Sequence, residues 1–268
     1  MNKRHPLSLT TPALLLASLF IGCAGLNQSA PPTQDKAEIL YNTGMEDLKD
    51  GLFPEAIKGF SEIRTEYPYS RFARLALLRI ADANHERGKF NEAIDGYRNF
   101  LKYYPNHDLS EYAMLAIGHS YYKQLPLEWW FLPPGTEKDQ ANIRRAIAAY
   151  RETTLAHPDS KEAELARERV FECRKKLAEH ELYVARFYFQ REKFKATTLR
   201  SAYLLEHYPD LGFEPEALLL GARAFIQLNQ AEPAREYLNK LLKGYKDSAE
   251  AATGHQLLLE LQATPPRG

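Results

Sequence analysis

Cysteine is nearly absent from this chain: two in 268 residues, Cys23 and Cys173. A single bridge across the 150 positions between them (173 − 23) is all that counting allows, and the surroundings of Cys23 point to another use. Charge of one sign is missing as well. The 35 Lys and Arg balance 35 Asp and Glu with no long block of either, so the basic footprint of a nucleic-acid binder is absent and no nucleic-acid partner is expected. The eight histidines form neither HExxH nor a pair at i, i+3 or i+4, which leaves no helical metal site. The 14 glycines are scattered, without a phosphate-cradling loop, and no GxSxG turn occurs. Carboxylates such as those of "EAELARERVFE" stand at helical spacing from arginines and read as solvated ion pairs. No enzymatic activity, metal or cofactor is expected.

What is present begins at the N-terminus. Lys3 and Arg4 precede a mostly apolar stretch from about Leu9 to Ile21, then Gly22-Cys23. A short basic region and a hydrophobic run too short for a stable membrane span describe a secretory signal over residues 1–22. A cysteine at the cut resembles a bacterial lipobox, with Phe20 where leucine is usual and Leu19 one step out. Cys23 is then the lipidation site, and each buried CH₂ of its acyl chains contributes about 0.8 kcal/mol to anchoring. Ala24, in place of aspartate, resembles the outer-membrane export signal. Residues 23–35 read as lipidated cysteine and flexible tether. Cys173, in the helical pattern "ERVFECRKKLAEHE", reads as a buried small hydrophobe.

Internal periodicity points to the fold. An aromatic or histidine precedes a proline at "EYPYS" (Pro68), "YYPNH" (Pro105), "AHPDS" (Pro158) and "HYPDL" (Pro209). At offsets of 8, 12 and 24 before Pro68 stand Phe60, Ala56 and Gly44, and before Pro105 stand Tyr97, Ala93 and Ala81. Small, small, aromatic, proline is the pattern of a tetratricopeptide helix pair. The small residues let the two helices approach closely, the ring fills the gap, and proline stops the second helix. The small residues Gly44, Ala81, Gly118, Ala185 and Ala222 are separated by 37, 37, 67 and 37. The long gap divides into 16 residues inside repeat three and 14 before repeat four. The first insertion, "QLPLEWWFLPPGTEK", is a loop over about 124–138. The second lies in a run without Pro or Gly that reads as one helix of about 30 residues.

The fold class is thus all-α: a solenoid of about five helix pairs plus a C-terminal capping helix, with one long helix between repeats three and four. Repeats one to three occupy 36–158; the long helix, repeats four and five and the cap occupy 159–262; 263–268 is a disordered tail. Lys246 stands where repeat five should have its proline. Repeat four has Thr197 and Ser201 where alanine and an aromatic are expected, which predicts a shifted packing register.

Such a stack implies a groove lined by the first helix of each pair. The groove positions are Tyr41, Met45 and Leu48, then Leu78, Asp82 and His85, then Leu115, His119 and Tyr122; for the leucines, burial against a neighbouring helix is the stronger alternative. The Lys/Asn set that clamps a peptide carboxylate is missing, which favours an extended apolar or aromatic ligand. Arg200, in the second helix of repeat four, is expected to tie that helix to the acidic long one, with Glu181 as a candidate partner; the alternative is a solvent-exposed charge. The aromatics Trp129, Trp130 and Phe131 have two readings. They dock a partner, or they fold back over the seam of repeat three.

The segment Leu177–Asp210 carries Leu177-Ala178, Glu181, Val184-Ala185, Phe187-Tyr188, Arg200 and Tyr208-Pro209. This run resembles the BamD (ComL/YfiO) family of tetratricopeptide lipoproteins, and the opening repeats "YNTGMEDLKDGLFPEAIKGF" are similar too. The Trp129-Trp130-Phe131 loop departs from the family pattern. The resemblance implies a lipid-anchored protein on the periplasmic face of the outer membrane. Its C-terminal half would bind the periplasmic domain of the barrel-forming subunit of the assembly machinery, and its N-terminal repeats would receive unfolded barrel precursors. Other assembly lipoproteins are further expected partners. The alternative is a tetratricopeptide envelope organiser acting with peptidoglycan or division proteins, which would need no spacer before repeat four.

Overall fold

How each helix is stopped and started sets the architecture. A computed structural model of the chain describes residues 36–125 and 139–263, and these form eleven α-helices without a strand. They are α1 (Lys36–Lys49), α2 (Phe53–Glu66), α3 (Arg71–Glu86), α4 (Phe90–Tyr103), α5 (Ser110–Lys123), α6 (Ala141–Ala156), α7 (Lys161–Gln190), α8 (Phe194–His207), α9 (Glu214–Gln227), α10 (Ala231–Gly244) and α11 (Ala249–Ala263). Within a pair the first helix ends on a left-handed residue: Gly51, Gly88, Glu192 and Asn229, at φ 78°, 78°, 59° and 57°. Each is followed by an N–H that reaches back to the helix, as Lys89 to the Asn84 carbonyl at 2.8 Å and Lys193 to Tyr188 at 2.9 Å. This closes the last turn and reverses the chain.

Two of the four left-handed positions are held by residues other than glycine, and Glu192 is the less suited of them. A side chain there carries a steric penalty of about 1 kcal/mol or more. Glu192→Gly is therefore expected to stabilise the protein by about 1 kcal/mol, raising the thermal midpoint by about 2–4 °C; calorimetry checks it, and a lowered midpoint would show that the glutamate makes a compensating contact.

Between pairs the residue before each proline leaves the helix, with φ −130° at Tyr67, −135° at Tyr104, −139° at His157 and −129° at Tyr208. Proline imposes this on its predecessor. Tyr245 takes φ −136° before Lys246, so the fifth junction reaches the same geometry without a proline. At three of the five junctions a serine two residues after the proline position starts the next helix. The N–H of Phe72 donates to Ser70 Oγ at 3.2 Å, that of Ala163 to Ser160 Oγ at 3.0 Å, and that of Ala251 to Ser248 Oγ at 3.2 Å.

Packing follows the small-against-ring rule. A Cβ added at Gly44 would lie 2.8 Å from the Phe60 ring, and one at Gly118 would lie 2.4 Å from Tyr150. Glycine is required at both for α1 to meet α2 and α5 to meet α6. Helices pack on their chain neighbours, and the first helices of pairs touch in turn, α1 with α3, α5 with α7, α7 with α9 and α9 with α11. Apolar clusters overlap along the stack, from Ala37, Phe60 and Phe72 through Tyr97 and Phe100, then Ile143, Tyr150 and Cys173, to Leu182, Leu204 and Ala217. Contacts between near neighbours only, with one continuous core, are the physics of a solenoid.

Helix α7 is 30 residues long, about 45 Å, as its composition predicts. Its N-terminal half packs on α6 and α5 and its C-terminal half on α8 and α9. The expected register shift in repeat four does not occur. Thr197 and Ser201 are both fully buried at the positions repeat five gives to Ala234 and Leu238. On α9, a Cβ added at Gly221 would lie 2.6 Å from the Tyr237 ring of α10 and 3.2 Å from the Ser201 Cβ of α8, so the glycine lets both neighbouring helices approach. No helix among the described residues is long and apolar enough to cross a membrane.

Candidate functional site

The groove columns of the first three pairs are built around one buried carboxylate. Asp82, on α3, is buried and accepts hydrogen bonds from the Tyr97 hydroxyl of α4 at 2.8 Å and the Tyr112 hydroxyl of α5 at 2.9 Å. Arg79 pairs with its other oxygen at 2.6 Å and donates through Nε to the Tyr41 hydroxyl of α1 at 3.2 Å. Burial opposes the Arg79 charge, but Tyr41 and Asp82 outweigh it and hold the guanidinium pKa above its ordinary value. Burial, together with the Asp82 charge, pushes the Tyr97 and Tyr112 phenols upward. Five side chains from four helices thus form one polar network joining three helix pairs.

The remaining groove positions divide by burial. Leu78 and Leu115 lie in the core, and Asp82 is consumed by its network. For the two leucines this is the stronger of the two sequence readings; Asp82 is a correction to the expected open groove, since its carboxylate is taken up by Arg79, Tyr97 and Tyr112. Tyr41, Met45 and Leu48 are half-buried on the first core, with the Tyr41 ring 5.2 Å from Phe72 and 5.7 Å from Phe60. His85 Nδ1 is 2.8 Å from the Ser120 hydroxyl of α5. His119 meets Tyr150 edge-on at 5.6 Å. Burial, with Arg169, His85 and Lys123 nearby, pushes its pKa down to about 4, so it stays neutral near pH 7. Tyr122 is half-buried beside Leu115 and Tyr150. What stays accessible is a strip of partly covered Tyr, Met and neutral His, suited to apolar and aromatic contact.

The second site lies at the junction of the long helix with repeat four. Arg200 donates to Glu181 at 2.9 Å, bringing together the two residues paired from sequence. Glu181 is 2% exposed, whereas the Arg200 side chain keeps 42% of its surface, so α8 is tied to α7 while its cation still faces solvent. Leu199 beside it is 64% exposed. One turn on, Arg186 of α7 forks onto both carboxylate oxygens of Glu216 on α9, and Glu214 accepts from the N–H groups of Leu211 and Gly212 at 3.1 and 3.0 Å. Cys173 is fully buried, and burial raises its thiol pKa to about 12, so it packs as a hydrophobe. Cys23 and the Trp129-Trp130-Phe131 cluster lie outside the described residues.

Sequence spacing marks Tyr97 only as the gap-filling ring of repeat two and does not single out Arg79 or Tyr112. The available signal was Asp82 itself, which stands 37 positions from Met45 and from His119 in an otherwise half-buried column; a carboxylate there needs donors.

Comparison with known proteins identifies relatives of this chain. The sequence profile of the family described as YfiO, outer membrane lipoprotein, matches residues 33–241. The outer membrane protein assembly factor BamD of Caulobacter vibrioides is 27% identical over 242 residues, covering 89% of this chain and 75% of that one. Its counterpart in Pasteurella multocida is 27% identical over 222 residues, covering 80% and 82%. Among solved structures, the TPR2AB domain of yeast Sti1 in complex with Hsp90 is similar over 84% of this chain and 85% of that one, at 16% identity and a TM-score of 0.46. Matched from residue 33 into α10, well over half its length, the chain belongs to the YfiO family of outer membrane lipoproteins.

Proposed function

We infer that this protein is a non-enzymatic component of the outer-membrane β-barrel assembly machinery, anchored through Cys23 on the periplasmic face. The observation that carries the reading is the family match across all five helix pairs, joined to relatives named as outer membrane protein assembly factors. The barrel-forming subunit docks through its periplasmic domain on the C-terminal half, where Leu199 and the solvent face of Arg200 adjoin. Unfolded barrel precursors lie along Tyr41, Met45, His85, His119 and Tyr122, where apolar contact with neutral groups suits an aromatic-ending strand. Other assembly lipoproteins complete the partner set.

The test is affinity isolation of the full-length tagged chain from solubilised outer membranes. Recovery of a barrel-forming subunit is expected, with most of it lost in Leu199→Asp, whose exposed position leaves the fold intact. Recovery of peptidoglycan-bound or division proteins without any barrel-forming subunit would overturn the reading in favour of an envelope organiser.

A further inference from the structure

Thirteen residues after each helix-ending proline the chain places the small residue that its own second helix covers: Ala81 after Pro68, Gly118 after Pro105, Ala222 after Pro209. After Pro158 the same step lands on Phe171. The N-terminal half of α7 packs on α6 and α5 as the first helix of a pair would, but the helix runs on by another 14 residues before Ala185 takes the small-residue role (185 − 171). The partner helix α8 therefore covers only the C-terminal half, and its C-terminal end stops beside Arg174, whose guanidinium is 3.5 Å from the His207 carbonyl. Among the described residues no second helix covers Phe171. Its ring is 52% exposed, and Leu155 at the end of α6 is 83% exposed. The row α2, α4, α6, α8, α10 skips one seat between α6 and α8.

That seat has a definite chemistry. Its floor is a cleft of about 220 Å³ lined by Arg151, Thr154, Arg167, Val170, Phe171 and Arg174. Arg167 donates to the carbonyl of Pro158 and Arg174 to that of His207. Among the described residues none of the three guanidiniums has a carboxylate within salt-bridge distance, although such pairs with Arg or Lys occur on other helices. Three arginines without a carboxylate partner around an exposed ring repel a basic occupant and attract an acidic one.

We propose that the seat receives an acidic amphipathic helix from a partner protein, which acts there as the missing second helix. In the intramolecular pairs the first helix is small and the second carries the ring. Here the ring belongs to α7, so the guest presents alanine or glycine opposite Phe171 and carboxylates toward Arg151, Arg167 and Arg174. The second helices α2, α4, α8 and α10 are each 14 residues long, which is the guest's expected length.

The probe is a stapled helical peptide of 14 residues, the length of α8, built on Ala and Leu with glutamates along one face and fluorescently labelled. Its binding to the full-length chain is read by anisotropy. Saturable binding is expected, weakened about tenfold or more by Arg151→Glu/Arg167→Glu and by Phe171→Ala, and weakened by salt. Circular dichroism melts verify that both variants fold. No binding, or equal binding of the peptide with every Glu replaced by Gln, overturns the proposal. Displacement by millimolar inorganic phosphate would reassign the seat to a small anion. Self-association in sedimentation that is lost in Arg151→Glu/Arg167→Glu would reassign it to a second copy. Either result overturns the peptide assignment.

Discussion

Asp82→Ala is expected to be the most damaging single substitution outside the glycine contacts, lowering stability by about 3–5 kcal/mol. The carboxylate accepts from Tyr97 and Tyr112 and pairs with Arg79. Removing it strands a nearly buried phenol and leaves the Arg79 charge with only the Tyr41 hydroxyl. A buried donor without an acceptor costs about 1–3 kcal/mol, and a charged one more. Asp82→Asn keeps the oxygen that accepts from the tyrosines but sets an amide N–H against the Arg79 guanidinium in place of the second oxygen, so it should fall short of the alanine effect while still weakening the network. Tyr97→Phe removes one donor and one bond together and should cost about 1 kcal/mol. Because the network joins α1, α3, α4 and α5, its loss should also raise hydrogen exchange in α1 and α2 more than in α9 and α10, as expected when nearest-neighbour coupling in a solenoid weakens. Urea denaturation with site-resolved exchange measures both. A loss under about 1 kcal/mol, or exchange raised evenly along the chain, would show that Asp82 is not the joint between pairs.

The contrast between what the sequence displays and what it hides follows from the range of the interactions. Helix starts and stops are local events. Pro68, Pro105, Pro158 and Pro209 and the serines two steps after a junction specify them within a few residues, and the 37-residue period follows. The long helix is legible for the same reason, since 30 residues without Pro or Gly have no point at which to break. Register in repeat four is not legible from Thr197 and Ser201 alone, because Ser201 packs against α9, where Gly221 leaves room for it. The groove has a related limit. Spacing identifies which residues share a face, but whether Leu78 and Leu115 remain open depends on how closely the adjacent helices approach. The empty seat at Phe171 was countable from Pro158, yet it carries meaning only once α8 is seen to stop at Arg174.

Arg200→Ala is expected to cost about 2 kcal/mol, less than a fully buried ion pair would, because the guanidinium keeps solvent on one side. The reason for any sizeable effect is Glu181. Its carboxylate is 2% exposed and receives Arg200 at 2.9 Å, so deleting the cation leaves a desolvated anion between α7 and α8. Deleting the anion is a different perturbation. In Glu181→Gln the Arg200 side chain, 42% exposed, can turn to water, and the loss should be smaller than that of Arg200→Ala. The double variant Arg200→Ala/Glu181→Gln should then be more stable than the sum of the single effects predicts, with a coupling of about 1 kcal/mol or more. Additive losses in the four-member cycle would mean that the contact at 2.9 Å carries no net energy. Coupling here bears on function because α8 holds only the C-terminal half of α7. A loosened α8 would move Leu199 and the C-terminal docking face relative to the first three pairs, so Arg200→Ala should weaken recovery of the barrel-forming subunit more than its own exposed surface accounts for. Arg200→Lys, which restores the charge without the planar fork, should recover most of the stability.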